Sequence, residues 1–279
     1  MFKTRVISGV ALVILIAIMN FSGGPVMALI LFLLSVQGLF EFYRATGVYD
    51  ESGDGKHSLI ENIGYAGSAV YYAAAMIFNN NSIVKLILIL CVVLLAMLAA
   101  YVLTFPKYSG EMIMKAFFGF MYVPVMMCFI FLTRNIQGGA YLVWLIYISS
   151  WISDTCAYLI GSRYGRIRLA PELSPAKSVE GAIGGIAGSA LISVIFSVFF
   201  MKQYGSGFIL GPLWFMLIGI VGSIASQVGD LAASAFKRNH DVKDYGVIIP
   251  GHGGILDRFD SVIFTAPMIY FLAELIIKL

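Results

Sequence analysis

The chain has 279 residues, 60% of them hydrophobic and only 12% charged, with a mean hydropathy of +0.91 and a formal net charge of +3. A soluble domain carries about 45–50% apolar and roughly 25% charged residues. The apolar excess is too large for one water-soluble core, so a soluble enzyme, a disordered chain and a disulfide-rich secreted scaffold are all excluded. What remains is an all-α polytopic integral membrane protein.

A spanning helix takes about 20 residues, and apolar runs broken by Gly, Pro, Asn or charge predict nine of them. In chain order they are Val6–Phe21, Pro25–Phe40, Ile63–Phe78, Ile83–Thr104, Met112–Thr133, Ala140–Ile160, Ala182–Met201, Phe208–Val228 and Asp257–Ile277. Ser22–Gly24 reads as a tight hairpin between the first two, and the basic, apolar start reads as a retained span rather than a cleaved leader. Five spans fall in an N-terminal region, 1–138, and four in a region 139–279 that carries the chemistry. Cys91, Cys128 and Cys156 are too scattered for a metal knuckle or a disulfide framework.

An odd span count sets sidedness. With Lys3 and Arg5 inside, alternation puts Glu41–Asn62, Phe105–Glu111, Gly161–Gly181 and Leu231–Leu256 inside as well. Of the 18 Lys and Arg, only Lys85, Arg134, Lys202 and Lys278 then fall outside, a strong positive-inside bias. Of the 15 Asp and Glu, only Glu274 falls clearly outside. An anchor needs positive flanks but no carboxylates. An inner face rich in both signs suits metal and phosphate, and no run of like charge suggests nucleic acid.

Ser234–Ser261 holds most of that chemistry: Lys237, Arg238, Asp241, Lys243, Asp244, Asp257, Arg258 and Asp260, with His240 and His252. If the eighth span continues as a helix past the membrane, Asp230, Ser234, Lys237 and Arg238 line one of its faces. Asp257 and Asp260, three apart, share a face on the first turn of the ninth span. The loop Gly251-His252-Gly253-Gly254 leads into that turn. Glycines allow close backbone approach, and free N–H groups at a helix start favour anions such as phosphate. Carboxylates beside phosphate call for a divalent cation, and Mg²⁺ takes one or two carboxylates plus substrate phosphate oxygens. Asp241 and Asp244 alone could be no more than a solvated loop, and a lone histidine is often structural.

A second inner segment adds to this. Asp154 stands in an otherwise apolar span, nearer its inner end; an acid at mid-bilayer costs about 2.5–3.5 kcal/mol and is a functional hypothesis by default. Downstream, Ser174-Pro-Ala-Lys177-Ser178-Val-Glu180-Gly181 offers Lys177 to phosphate and Ser178 as an N-cap, while Glu180 follows ordinary helix-start preference. By parity both segments face one side.

The run Ser234-x-x-Lys237-Arg238-x₄-Lys243-Asp244-x-Gly246-x₃-Pro250-Gly251-His252-Gly253-Gly254-x-x-Asp257-Arg258-x-Asp260 resembles the signature of the phosphatidate cytidylyltransferases, or CDP-diglyceride synthases. Gln227-x-Gly229-Asp230 is similar to that family's lead-in. Ser174-Pro-x-Lys177-x-x-Glu180-Gly181 matches a looser family motif, departing from it at Ala176, Ser178 and Val179. Asp154 with Tyr158, Gly161 and Gly165 also fits. Residues 1–138 resemble the family in hydropathy alone.

The resemblance implies a nucleotidyltransferase that makes CDP-diacylglycerol and pyrophosphate from CTP and phosphatidate, with Mg²⁺, as a homodimer in a bacterial inner membrane with its site on the cytoplasmic side. It implies metal at Asp230, Asp257 and Asp260. Phosphate clamping falls to Lys237, Arg238, Lys243, Arg258 and Lys177, with Asp244 and His252 in the same catalytic loop. Lys237 and Lys243 are expected to serve CTP. Asp154, Arg163, Ser174, Lys177, Ser234, Gly253 and Gly254 are expected to line the substrates, with Lys177 and Arg163 nearest the lipid phosphate. A CTP-dependent polyprenol kinase is the alternative within the class. A secondary transporter using Asp154 and Asp230 is the alternative outside it, but its acids should sit at mid-membrane in paired halves. The D-G-x-x-A-R helix of CDP-alcohol phosphotransferases is absent from the sequence.

Overall fold

The computed structural model describes residues 2–48, 58–78, 83–204, 211–251 and 253–277. His252, Lys56 and Lys278 lie outside the described residues. Among the described residues, helical rods lie near the expected positions: α1 (Phe2–Ser22), α2 (Gly24–Thr46), α3 (Leu59–Phe78), α4 (Ile83–Leu103), α5 (Gly110–Asn135), α6 (Gly139–Tyr164), α7 (Val179–Tyr204), α8 (Pro212–Asn239) and α9 (Leu256–Ile277). Among the described residues, six of these, α2 and α4 to α8, are long and apolar enough to cross a membrane by length and composition. The protein is an all-α polytopic membrane protein.

Local chemistry sets the helix ends. Gly23 and Gly24, with φ of 59° and 46°, turn the chain between α1 and α2, and Gly47 at φ 75° closes α2. Ser58 and Glu61 form a reciprocal capping box at α3: Ser58 N donates to Glu61 Oε2 at 2.7 Å, and Glu61 N to Ser58 Oγ at 3.1 Å. Ser109 caps α5. Two rods contain π turns, Met121–Val125 in α5 and Ile148–Ile152 in α6. The first contains Pro124, which has no N–H to donate.

Two differences from expectation bear on function. Helix α8 runs to Asn239, well past Val228, so the face carrying Asp230, Ser234, Lys237 and Arg238 is helical throughout. The segment between α6 and α7 is not a plain loop. It forms a β-hairpin of β1 (Arg168–Ala170) and β2 (Ser174–Ser178), antiparallel, with Arg168 opposite Ser178 and Ala170 opposite Ser174. Sequence alternation over so few residues carries no strand signal.

The chain divides into two compact units. The first comprises residues 1–132 and 240–258, in which α2 packs on α1, α3 and α5 and the loop before α9 belongs to the same body. The second comprises residues 133–239 and 259–279. Its centre is the packing of α7 against α6 and α8, made close by small residues. A Cβ on Gly181 would stand 2.7 Å from the Ala157 carbonyl oxygen, and one on Gly185 2.8 Å from that of Ser153. Hydroxyls join the same helices. Ser153 and Ser223 share a 2.7 Å hydrogen bond, Ser150 donates to Thr265 at 3.0 Å, and the Gln227 amide donates to the Ala182 carbonyl at 3.0 Å. Small residues and hydroxyls are the usual glue of membrane helices, where lipid removes the hydrophobic drive between them.

This crossing predicts a sharp steric response. Gly181→Val should lower stability by about 1–3 kcal/mol, the ordinary cost of overpacking. Ile183→Val, at an exposed position nearby, should leave the melting curve in detergent almost unchanged. Equal melting temperatures for the two variants would contradict the crossing.

Candidate active site

The first unit builds its part of the site around the start of α9. Asp257, 6% exposed, folds back on the loop that precedes it. Its Oδ2 accepts from the backbone N–H of Tyr245 at 2.8 Å and of Gly254 at 3.0 Å. Gly253 has φ 83°, and a Cβ there would stand 2.9 Å from that oxygen. Ile249 N donates to Gly253 O at 2.9 Å and closes the turn through Gly251, φ 78°. The glycines of the loop thus answer a real steric demand, the approach of backbone to a carboxylate.

A cleft of about 630 Å³ opens over this loop, lined among others by Lys243, Asp244, Gly246, Gly251, Gly253 and Arg258. That volume is in the range of small-molecule sites. Lys243 and Asp244 are exposed, and Arg258 is half-buried. The Arg258 Nε is buried and has no hydrogen-bond partner among the described residues. Burying a guanidinium N–H unpaired is costly.

One element of the expected chemistry is different. The N–H groups at the start of α9 were expected to be open to phosphate. They are instead filled by the chain's own carboxylates: Glu41 of α2 accepts from Ile255 N at 3.0 Å and Leu256 N at 2.8 Å, while Asp257 takes Gly254 N. Glu41 lies about two hundred residues away in sequence, in what reads as an ordinary interfacial acid, and only the fold reveals its partner.

The second unit gathers the other acids. Asp230 on α8 is ion-paired with Lys177 on β2, the Lys177 Nζ meeting Asp230 Oδ2; each side chain is 28% exposed. Asp260, buried on the first turn of α9, accepts from the Ser261 N–H at 2.7 Å. It lies within electrostatic reach of Asp230, Asp154 and Lys237. The approach is tight, since a Cβ on Gly229 would stand 2.9 Å from the Asp260 carbonyl oxygen. Asp154 is exposed and follows directly on the π turn of α6. Ser234 and Lys237 are half-buried on α8, and Arg238 is exposed at its end.

The hairpin is what brings Lys177 to Asp230. Ser178 Oγ accepts from Gly181 N at 3.1 Å, the expected N-cap. Glu180 does more than follow helix-start preference: it accepts from Arg166 N at 3.0 Å and Ile167 N at 3.3 Å and so holds the entry to β1. Ser174 is half-buried at the start of β2. Arg163 is exposed on the last turn of α6, its guanidinium 5.8 Å from the Tyr164 ring.

Among the described residues no group of three His, Cys, Asp or Glu side chains stands close enough to form a preformed metal cage. The donors nevertheless fit Mg²⁺, which takes only one or two carboxylates when phosphate supplies the rest. Asp230 and Asp260 are hard oxygen donors facing a common region, and the Lys177 ammonium on Asp230 occupies the place of a cation.

A profile of the cytidylyltransferase family matches residues 3–276. The chain belongs to the cytidylyltransferase family. It is similar to the phosphatidate cytidylyltransferase of Bacillus subtilis (strain 168), 41% identical over 152 residues, which cover 53% of this chain and 54% of that protein. It is also similar to the one from Synechocystis, 43% identical over 144 residues, 52% of this chain and 47% of the relative, and to the one from Staphylococcus aureus (strain COL), 39% identical over 148 residues, 53% and 54%. The chain spans about half the length of the curated relatives it matches.

The Lys177–Asp230 pair makes a quantitative prediction. Lys177→Met leaves a part-buried carboxylate unpaired and should cost about 1–3 kcal/mol, between exposed and fully buried pairs. Adding Asp230→Asn should recover most of the loss in a double-mutant cycle followed by thermal unfolding in detergent. Strict additivity of the two changes would mean the pair carries no coupling.

Proposed function

We propose that this member of the cytidylyltransferase family is a phosphatidate cytidylyltransferase, an integral membrane enzyme converting CTP and phosphatidate to CDP-diacylglycerol and pyrophosphate. The observation that carries the reading is the cleft of about 630 Å³ over the glycine loop, with Lys243 on its wall and the buried, unpartnered Nε of Arg258. Such a cleft suits an anion with several phosphates, and the relatives named above are phosphatidate cytidylyltransferases.

The reaction asks little covalent work of the protein. A phosphate oxygen of phosphatidate attacks the α-phosphorus of CTP, the bond from that phosphorus to the bridging oxygen breaks, and pyrophosphate leaves with the bonding pair. Phosphatidate is already anionic at neutral pH, so no protein nucleophile is required. Phosphoryl-type transfer is mostly positioning and charge neutralisation. In this reading Lys243, Lys237, Arg238 and Arg258 neutralise CTP and its pyrophosphate, Arg258 with its planar fork and the lysines as point charges. Arg163 and Lys177 meet the lipid phosphate, and Ser174, Ser234 and Asp154 border the substrates. Gly253 and Gly254 let the loop backbone come close, Asp244 adds a carboxylate to the cleft wall, and His252 stays a catalytic candidate by its place in the sequence. Asp230 and Asp260 would hold Mg²⁺, which when bound screens phosphate charge and supports the leaving pyrophosphate, and Asp257 keeps its charge at the start of α9. The charged loops face the cytoplasm, where CTP is, in a bacterial inner membrane, and the working form is a homodimer.

Two outcomes test this. Asp257→Asn keeps an oxygen that can accept from both Tyr245 N and Gly254 N, so the loop should survive and the melting temperature should stay within a few degrees. Turnover of labelled CTP with phosphatidate should nevertheless fall far more than tenfold, beyond the 1.36 kcal/mol that tenfold represents. Activity within tenfold of wild type would remove the charge role of Asp257. For sidedness, a cysteine introduced at Asn239 should be shielded from an impermeant thiol reagent in intact cells, and one at Asn80 should label. Labelling at Asn239 from outside would reverse the orientation and with it the access to CTP.

A further inference from the structure

Glu41 is one of very few buried acids outside the charged loops, at 3% exposed, and the reaction as derived gives it no role. Its carboxylate lies against the start of α9. Oε1 accepts from Ile255 N at 3.0 Å and Oε2 from Leu256 N at 2.8 Å, so each oxygen holds one N–H of the helix start. Gln37, one turn earlier on α2, donates to Oε1 at 3.2 Å. The loop has been shaped around this head group. A Cβ on Gly246 would stand 2.7 Å from Glu41 Oε1, and a Cβ on Gly254 would collide with Oε2. The next residue on α2, Phe42, packs its ring 6.4 Å from that of Tyr245, whose N–H is held by Asp257.

These contacts separate a functional clamp from an incidental cap. An incidental cap is solvent-exposed, local and singly bonded. Glu41 is buried, reaches across from another helix, is bonded through both oxygens, and imposes glycine at two positions of the loop that carries Lys243 and Arg258. A carboxylate at a helix start is also favoured by the helix dipole, which lets the negative charge be buried there without a cation.

We propose that Glu41 is a positioning residue for the transfer. It fixes the start of α9 and the loop Lys243–Gly254, so that Asp257 and Arg258 are held in the orientation the reaction uses. It also occupies the anion site at the helix start, leaving substrate phosphate to Lys243 and Arg258 in the cleft. This role rests on the proposed reaction for its kinetic half, whereas the loop-anchoring half stands without it.

The test uses the full chain in detergent micelles, comparing wild type with Glu41→Gln. Glutamine is isosteric, but its amide nitrogen must face one of the two N–H donors, so the two-oxygen clamp is lost. Two quantities are read: kcat and KM with CTP varied at saturating phosphatidate, and the rate of tryptic cleavage after Lys243 relative to cleavage after Lys202. We expect kcat to fall at least thirtyfold with KM for CTP moving less than fivefold, and cleavage after Lys243 to accelerate at least tenfold while that after Lys202 stays constant. Gly246→Ala, which presses on the same carboxylate from the loop side, should reproduce both changes and serves if Glu41→Gln does not accumulate. A kcat within threefold of wild type, or loss of kcat without faster cleavage after Lys243, overturns the proposal; the latter would place Glu41 in direct contact with substrate. If wild type does not turn over CTP with phosphatidate at all, the proposed reaction fails. The cleavage comparison then still decides whether Glu41 anchors the loop, unchanged cleavage overturning it.

Discussion

A carboxylate removed from water must be given donors or a cation, because an isolated buried charge is far too costly to keep. In a chain with 12% charged residues, that constraint orders everything around the chemistry. The protein meets it in two ways. Glu41 and Asp257 are held by backbone N–H groups. Asp230 is held by an ammonium, that of Lys177. The distinction matters for function. A carboxylate held by main-chain N–H groups shapes the backbone around it, and one held by a lysine depends on a side-chain cation instead.

The glycine loop follows from the first solution. Its glycines need no appeal to general flexibility. Gly253 and Gly254 face Asp257 and Glu41 respectively, and Gly246 faces Glu41 from the far side of the loop. A motif that reads as a phosphate cradle is thus, in its own backbone, a cradle for two protein carboxylates. The side chains on the rim, Lys243 and Arg258 with its unpaired Nε, are then the cations that remain to face the cleft. The helix-start donors are thus satisfied within the chain itself.

How much of this could be read beforehand depended on the range of each signal. The rods were legible because apolar runs of membrane length are long and strong signals; the extension of α8 to Asn239 was legible only as a condition, since the polar residues at helical spacing show a face only if the helix continues. The capping role of Ser178 was legible because a cap acts over three residues. The hairpin was not, since β1 has only three residues and β2 five and period-two alternation cannot register over so few. Glu41 was invisible for a different reason. It sits at the end of an apolar run beside Arg44, as many interfacial acids do, and its partners Ile255 and Leu256 contribute only backbone, which has no sequence identity to match. The motifs that stand out by eye all lie beyond residue 138, so none of them pointed to this contact.

The second unit solves a related problem with different means. Its helices must approach closely yet carry polar groups, so glycines at 181, 185, 188, 219, 222 and 229 bring backbones together, and hydroxyls of Ser150, Ser153, Ser223 and Thr265 bond across the gaps. At Gly181, Gly185, Gly219 and Gly229 the added Cβ would meet a backbone carbonyl oxygen within 3 Å, which leaves no room for a larger residue. The π turn at Ile148–Ile152 then adds a residue to the helical turn immediately before Ser153 and Asp154, and π turns are concentrated where a helix must re-aim a side chain. The extra residue rotates everything after it relative to everything before it. Just beyond it Ser153 faces inward to Ser223, while Asp154, about 100° further round the helix, is exposed and in electrostatic reach of Asp260. The small-residue packing and the π turn thus sit on the same stretch of α6, with Ser153 bonded across to α8 and Asp154 left on the outer face.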